Sequence, residues 1–398
     1  MNPFLHETIN FEYLKSHAFN YRWAAVDPDV IPLTAADPDF PVASVIRDAI
    51  RNTANTGYFS YGSAHGEPAF KEAIAQWYHK NYHATIQAEN ILPVNAAAHG
   101  LFIVANTLLK KGDKAIIPDP VDFLFRKAVE AAGATAIALP LQADTAHFYL
   151  NAVEEELQQG AKAIFICNPN NPLGKQITSA HLNDLITLAI KYNAWIVSDE
   201  IWSDIYYETP VTSIVNQSLL AYDKKIVVSG LSKNFGLAGL RIGYILCDKQ
   251  EHYQNIFEKS AHASTAFGIA TLSQIAGTAA LTQAEDWLID FRSHLTQMRA
   301  IVFNKIQEIP FLQLATAPEA TYLAFPKITA PNCTSDHLIK SILEHARVAL
   351  VPGGKQWFEA HSEGSLRICF STSAKVLEEA FDRIQNAETK ILDSIKNT

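Results

Sequence analysis

The chain has 398 residues, and its 32 Lys and Arg against 41 Asp and Glu give a formal net charge of −9 at pH 7. Nucleic-acid-binding proteins usually carry a basic surplus, so this acidic balance predicts no nucleic-acid partner. Hydrophobic residues make up 48% of the chain and charged residues 18%. These proportions exclude a disordered protein and indicate a globular one with a large buried core.

The sequence contains no motif typical of a metal site, a disulfide framework or a membrane protein. None of the four cysteines, Cys167, Cys247, Cys333 and Cys369, has the C-x-x-C spacing of a zinc or redox site, and the 14 histidines form no H-E-x-x-H motif. The N-terminal residues lack the basic start and apolar core of a secretory signal. No run approaches the roughly 20 apolar residues of a membrane-spanning helix. We therefore expect a cytoplasmic protein with reduced thiols, no bound metal and no membrane contact.

Five short apolar runs are predicted as buried strands, at residues 114–119, 161–169, 194–200, 224–232 and 241–248. Between the second and third runs, the apolar residues with the spacing of one helix face are Leu182, Leu185, Ile186, Ala189 and Ile190. Thr178 or Ser179 is placed to cap the start of this helix. Strands that alternate with helices predict a mostly parallel sheet with helices on both faces.

The C-terminal part of the chain, from residue 284, predicts a smaller α+β unit. Its helical patterns cover residues 284–308 and 335–347. Strand-like segments lie at 321–325 and 366–371, with the segment 349–354 before the second of them.

Polar residues follow three of the predicted strands directly. Asn171 lies in the segment Asn-Pro-Asn-Asn-Pro-Leu-Gly after the second strand, and Asp199 ends the third. Lys233 follows the fourth strand, with Arg241 eight residues further on. Ligands of open parallel sheets bind beyond the carboxyl ends of the strands, so we expect these groups to share one site.

A carboxylate, an amide, a lysine and an arginine from separate strand ends suit an aromatic cofactor that carries a phosphate. A lysine amine of lowered pKa forms a Schiff base with a pyridine aldehyde, and a buried carboxylate is stabilised opposite a protonated ring nitrogen. An amide such as that of Asn171 donates to a phenolate oxygen. Arg241, with Ser229, Ser232 and the backbone at Gly230, suits the phosphate.

These residues stand in motifs that resemble the class I/II (fold type I) pyridoxal-phosphate-dependent aminotransferase family. Residues 230–243, GLSKNFGLAGLRIG, fit the family's cofactor-attachment signature over their whole length. Residues 171–174 resemble its Asn-Pro-Thr-Gly turn, and Asp199-Glu200 resembles its Asp-Glu pair. Further matches in the expected order are residues 36–40, Tyr61, and Arg367 after Pro352-Gly353. The resemblance extends over nearly the whole chain.

The resemblance implies an α/β fold with two domains. The large domain, residues 45–283, would hold a mostly parallel seven-stranded sheet between helices. Residues 1–44 and 284–398 would together form a smaller α+β domain. A homodimer is also implied, because Tyr61 would reach the cofactor phosphate of the neighbouring subunit.

The resemblance further implies a reaction that moves an amino group between an amino acid and a 2-oxo acid. Lys233 would bind pyridoxal 5′-phosphate as a Schiff base and shuttle a proton between the substrate and the cofactor. Asp199 would pair with the pyridine nitrogen and Asn171 with the ring oxygen. Arg367 would bind the substrate α-carboxylate.

The cofactor phosphate would be held by two kinds of donor. Arg241 would provide a side-chain donor, as it does in the family. Ala97 and Ala98, at the predicted start of a helix, would offer backbone N–H groups.

Three positions depart from the family pattern. Asp122 stands where an aromatic residue usually stacks on the cofactor ring, so either Asp122 or the following Phe123 faces the ring. Trp202 stands where transaminases commonly have Tyr and C–S lyases often have His, and its indole N–H donates but cannot accept. A glycine that is usual near Ala96 is absent.

Two other functions stay open from the sequence. A pyridoxal-phosphate-dependent C–S β-lyase of the cystathionine β-lyase type would share the Ala-Asp-x-Asp-Phe pattern of residues 36–40, although residues 239–243 have the commoner transaminase form. A regulatory module that keeps the fold without the chemistry would have a damaged lysine signature, but Lys233 is intact. The aminotransferase is therefore the favoured prediction.

Overall fold

The computed structural model describes residues 2–396. The strands are β1 (Ile31–Pro32), β2 (Ile91–Asn95), β3 (Lys114–Asp119), β4 (Thr135–Pro140), β5 (Ala163–Cys167), β6 (Trp195–Asp199), β7 (Lys225–Gly230), β8 (Ile242–Cys247), β9 (Leu312–Gln313), β10 (Leu323–Ala324), β11 (Lys327–Ile328), β12 (Val348–Ala349), β13 (Val351–Pro352) and β14 (Leu366–Cys369). The helices are α1 (Phe11–His17), α2 (Ser44–Asn55), α3 (Pro68–Tyr82), α4 (Ala97–Leu108), α5 (Leu124–Ala131), α6 (Leu150–Gln158), α7 (Ser179–Tyr192), α8 (Gln250–Lys259), α9 (Thr271–Gln283), α10 (Glu285–Gln307), α11 (Ser335–Ala346), α12 (Ala374–Asn386) and α13 (Glu388–Lys396).

The largest sheet of the described chain has seven strands in the order β2-β8-β7-β6-β5-β3-β4. Strands β7, β6, β5, β3 and β4 run parallel, whereas β8 is antiparallel to both of its neighbours. Cys167 pairs with Asp199, and Asp199 pairs with Val228, so β5, β6 and β7 end at the same edge. The prediction of an α/β fold with a mostly parallel seven-stranded sheet is confirmed.

Helices cover both faces of this sheet because its strands are apolar on both sides. On one face α4, α5 and α8 pack on side chains such as Val197 and Val228 in a continuous buried cluster. On the other face α3, α6 and α7 pack on Ile164, Ile196 and Val227.

Helix α7 tests the predicted helix face residue by residue. Thr178 caps the helix, because its hydroxyl accepts the backbone N–H of His181 (3.3 Å). Leu182 and its three apolar neighbours on the face are buried, but Ile190 is 47% exposed, so the prediction was wrong for Ile190. At about 100° per residue, Ile190 lies roughly 80° around the helix from Leu182, beyond the strip that the sheet covers.

The two ends of the chain meet in short strand pairs. β1 pairs in parallel with β12, and β14 lies between β10 and β13 in an antiparallel sheet. The predicted strand 321–325 is shortened to β10, because Thr321 has a φ of +65° and cannot continue extended backbone. The division into residues 45–283 and the two chain ends stays a prediction, which the pairing of β1 with β12 supports.

Gly243 in β8 lies against the backbone at the start of α4. A Cβ atom on Gly243 would lie 2.3 Å from the carbonyl carbon of Ala96 and 2.5 Å from the nitrogen of Ala97. Backbone atoms at a sheet edge cannot move aside as a flexible side chain does. Only glycine therefore lets β8 hold the first residues of α4 at this position.

We expect Gly243→Ala to lower the free energy of unfolding by about 3 kcal/mol, because the added methyl group forces strand and helix apart. Denaturant-induced unfolding followed by circular dichroism measures this change. The matched control is Gly239→Ala, four residues earlier, where the added carbon has open space: apart from its chain neighbours, no described residue has a heavy atom within 4 Å. Equal destabilisation by both substitutions would contradict the explanation.

Candidate active site

Lys233 lies beyond the carboxyl end of β7, at the edge that Asp199 shares. Its partly buried Nζ donates to the carbonyl oxygen of Ala36 (2.6 Å) and lies 5.5 Å from the centre of the Trp202 ring. Burial lowers the pKa of this amine, and the charge of Asp37 partly opposes that effect. A lysine in these surroundings is a better nucleophile and base than an exposed one.

Asp199 ends β6 and is partly buried beside Lys233. Within residues 2–396, its side chain accepts one hydrogen bond, from the backbone N–H of Ile201 (3.1 Å). Burial raises the pKa of Asp199 to about 7, and the nearby charge of Asp122 acts in the same direction. A cationic group placed against this carboxylate would compensate for its lost hydration.

Arg367 of β14 enters the same site from the C-terminal part of the chain. Its side chain is 8% exposed, and its guanidinium donates to Oδ1 of Asn171 (3.0 Å) and to the carbonyl oxygen of Thr34 (3.1 Å). The ring of Phe358 lies 5.0 Å from the guanidinium carbon. Its Nε is buried and has no hydrogen-bond partner among residues 2–396. The guanidinium is thus held in place with donor capacity left for an anion.

The start of α4 provides a second anion-binding feature. Ala97 and Ala98 open this helix, so their N–H groups have no acceptor within the helix. The charge of Arg241 lowers the pKa of His99, after the larger effect of burial, which puts this arginine close to the same turn. Ala96 precedes the helix with a φ of +74°, a conformation that favours glycine, so the chain holds strained backbone where the family usually has that glycine.

The other predicted site residues differ in how they are placed. Ser232 is buried directly before Lys233, whereas the hydroxyl of Ser229 donates to the carbonyl oxygen of Glu200 (3.1 Å), within the interior. Phe123 lies edge-on to Trp357, with ring centres 6.2 Å apart. Tyr61 is 90% exposed and contacts Phe267.

Sequence reasoning did not select two further groups that line or support this site. Tyr322 donates to the carbonyl oxygen of Ala36 (3.3 Å), and its ring lies edge-on to Trp202 at 4.7 Å. Arg22 forms a buried ion pair with Asp39, which also accepts from the indole of Trp23 (2.8 Å). The N-terminal motif contained Asp39, but no local signal linked it to Arg22.

The residues of this site fit pyridoxal phosphate. Asp199, which forms no ion pair within residues 2–396, offers its carboxylate to a pyridine nitrogen, and Lys233 offers an amine of lowered pKa to the aldehyde. The start of α4, beside Arg241, suits the phosphate. The unpartnered Nε of Arg367 remains for a substrate carboxylate.

Comparisons with known proteins agree with this geometry. The model of the family "Aminotransferase class I and II" matches residues 28–384. The aspartate aminotransferase of Pyrococcus horikoshii is 29% identical over 363 residues, which cover 90% of each chain.

Solved structures of similar chains extend the comparison. A PLP-bound chain of Clostridium difficile 630, assigned as an aminotransferase, has a TM-score of 0.85 at 26% identity and covers 94% of this chain and 97% of its own. A chain of Corynebacterium diphtheriae, assigned as a PLP-dependent β-cystathionase, has a TM-score of 0.84 at 27% identity and covers 96% of this chain and 98% of its own. Because the family model spans most of the 398 residues, the chain belongs to the class I and II aminotransferases, enzymes that depend on pyridoxal phosphate.

Proposed function

We propose that this aminotransferase exchanges an amino group between an amino acid and a 2-oxo acid at the edge of the sheet shared by Lys233, Asp199 and Arg367. The observation that carries the proposal is the pair of groups that burial perturbs at this edge. The amine of Lys233 has a lowered pKa, and the carboxylate of Asp199 has a raised one, of about 7. Pyridoxal phosphate, when bound, supplies the electron sink for the electron pair left on the substrate Cα.

Lys233 would hold the cofactor and afterwards move the proton. With its Nζ released by the incoming amino group, the neutral amine takes the proton from the substrate Cα and returns it at the neighbouring carbon of the cofactor. The carbonyl oxygen of Ala36 accepts a hydrogen bond from this Nζ and so restricts its position. The lowered pKa favours the neutral form that the base needs.

Asp199 would keep the ring nitrogen protonated, since a cation beside the carboxylate would oppose the burial that raises the pKa of Asp199 to about 7. Trp202 has an N–H group for the ring oxygen, and so does Asn171 through the second N–H of its amide, since the first donates to Asp122 (2.9 Å). Phe123 is the candidate for contact with the ring face. Arg241 would bind the phosphate as a planar fork of donors.

Four further groups of the attachment region would complete the phosphate site. The N–H groups of Ala97 and Ala98 point out of the start of α4. Ser232 would add a hydroxyl directly. Ser229 would support the site indirectly, because its hydroxyl already donates to the carbonyl oxygen of Glu200.

Arg367 would bind the substrate α-carboxylate. The buried guanidinium has an Nε without a partner, and two of its other N–H groups are held by Asn171 and Thr34. A carboxylate provides two acceptor oxygens for such a fork. The substrate is thereby oriented with its Cα towards Lys233.

A second copy of the chain would complete the site. Tyr58, Phe59 and Tyr61 are 80%, 68% and 90% exposed, and Phe267 beside them is 49% exposed. The rings of Tyr61 and Phe267 contact each other (centres 5.4 Å apart), and so many large exposed aromatic side chains favour a covered interface over free surface. In the homodimer that we propose, Tyr61 enters the neighbouring subunit's phosphate site.

The location that we propose is the cytoplasm. The four cysteines are buried and free, as expected in a reducing compartment. No helix within residues 2–396 is long and apolar enough to cross a membrane.

A donor screen tests the reaction. The purified enzyme, with pyridoxal phosphate, should convert 2-oxoglutarate, pyruvate or oxaloacetate to the amino acid only when an amino donor is added. Donors with acidic, basic, apolar and aromatic side chains cover the substrate class. The test for the C–S lyase alternative, which the similarity to the assigned β-cystathionase favours, is cystathionine without a 2-oxo acid. Prompt release of pyruvate and ammonia in that assay would show that the enzyme is a C–S lyase and not a transaminase.

We expect Lys233→Ala to lower turnover by about 10³-fold or more, because the substitution removes both the attachment point and the base. Borohydride treatment followed by peptide mass spectrometry should locate the reduced cofactor on Lys233 in the wild type and on no residue in the variant. Lys225→Ala is the matched control, since Lys225 is also a buried lysine of lowered pKa, at the opposite end of β7. Reduced cofactor on another lysine would contradict the role.

Complementation tests the contribution of Tyr61 from the partner. Homodimers of Lys233→Ala and of Tyr61→Ala should both be impaired. In a random mixture of the two chains, each hybrid dimer has one site with both residues intact, so about a quarter of the wild-type activity should return. No recovery in hybrids of demonstrated composition would place Tyr61 in the site of its own subunit.

A further inference from the structure

Asp122 lies at one end of a chain of hydrogen bonds that reaches Arg367. Its Oδ1 accepts the backbone N–H of Leu124 (3.2 Å), and its Oδ2 accepts Nδ2 of Asn171 (2.9 Å). Oδ1 of Asn171 in turn accepts from Nη1 of Arg367 (3.0 Å). We call Asp122, Asn171 and Arg367 the Asp122 relay.

The two ends of the Asp122 relay determine how the amide in the middle is turned. An ionised carboxylate only accepts hydrogen bonds, and a guanidinium only donates them. Asn171 must therefore direct its NH₂ group at Asp122 and its oxygen at Arg367. The opposite orientation would place donor against donor at Arg367 and acceptor against acceptor at Asp122.

The amide also separates the two charges. Asp122 attracts Arg367 electrostatically, but their contact passes through Asn171, and no carboxylate of residues 2–396 forms an ion pair with this guanidinium. Because Nη2 is bound to the carbonyl oxygen of Thr34, the plane of the guanidinium is fixed from both sides. Its buried Nε is left without a hydrogen-bond partner within residues 2–396. Arg367 is thus oriented by an acid that does not occupy its donors.

We propose that Asp122 is a positioning residue for the substrate carboxylate: it sets the orientation of the Asn171 amide and, through it, that of Arg367. This inference rests on the proposed function, in which Arg367 binds the substrate. It explains why an acid serves at a position where the family usually has an aromatic residue. The ring-facing role of that aromatic is then left to Phe123.

Two substitutions at this position separate orientation from charge. Asp122→Ser keeps the local bond to the N–H of Leu124, two residues away, but its short side chain does not reach Asn171. The Asn171 amide can then keep its oxygen directed at Arg367. Asp122→Asn has one acceptor oxygen for two donors, so with its oxygen on Leu124 it presents NH₂ to Asn171. The Asn171 amide then turns its own NH₂ towards Arg367.

We expect the affinity for carboxylates to fall in the order wild type, Asp122→Ser, Asp122→Asn. The KM for the best amino donor should rise by about tenfold in Asp122→Asn and two- to threefold in Asp122→Ser, with kcat changed less than KM. A second readout is the Kd of propionate, followed through the absorbance of the bound cofactor. Asp122→Thr should behave like Asp122→Ser, and thermal melting checks that all variants fold.

Three outcomes would overturn the proposal. Equal losses in Asp122→Ser and Asp122→Asn would show that only the charge of Asp122 matters. Unchanged carboxylate affinity in both would reduce the role of Asp122 to the local hydrogen bond that it accepts from the N–H of Leu124. A fall in kcat at constant KM would assign Asp122 to a step after substrate binding. Failure of the proposed function is distinct, since it would appear in the wild type as absent cofactor or absent transamination.

Discussion

The pairing register of β5, β6 and β7 is the constraint on which the site depends. Cys167, Asp199 and Val228 lie side by side, so the segments that follow them leave the sheet at one level. Asn171 and Lys233 are brought to Asp199 in this way. A slip of one residue would turn Asp199 to the opposite face of the sheet, because successive strand side chains alternate. The apolar side chains on both faces oppose such a slip.

Segments from the two ends of the chain complete the site whose position is set by the register of the strands. The carbonyl oxygen of Thr34 accepts a hydrogen bond from Arg367, and that of Ala36 accepts one from Lys233. The N-terminal segment therefore contacts both proposed functional cations. A buried pair, Arg22 with Asp39, holds this segment, and Arg22 also donates to the carbonyl oxygen of Pro32 (2.9 Å). Buried charges are costly unless each is well bonded. Oδ1 of Asp39 accepts from both Arg22 and the indole of Trp23, whereas its buried Oδ2 has no hydrogen-bond partner within residues 2–396. The net charge of −9 therefore coexists with buried cations at this site, each held by backbone oxygens or carboxylates.

Local patterns predicted the central part of the fold well. The strand at residues 114–119 was predicted with its bounds, and the cap at Thr178 follows from the chemistry of its hydroxyl. Where neighbouring elements decide, prediction failed: Ile190 has the helical spacing but lies beyond the sheet, and Thr321 interrupts a strand-like run. Periodicity describes one element alone, whereas burial depends on how far its neighbour extends.

The sequence by itself determined the family and the cofactor, because the residues of the diagnostic motifs are close together in the chain. The same motifs predict Lys233 as the attachment lysine. Only the tertiary structure decided how those motifs act on one another. Asn171 and Arg367 are 196 residues apart, and their hydrogen bond joins β14 to the segment that follows β5. The use of Asp122 as an anchor for that amide was equally hidden. A carboxylate in a sequence shows its charge, but its hydrogen-bond partners depend on which distant donors the fold brings to it.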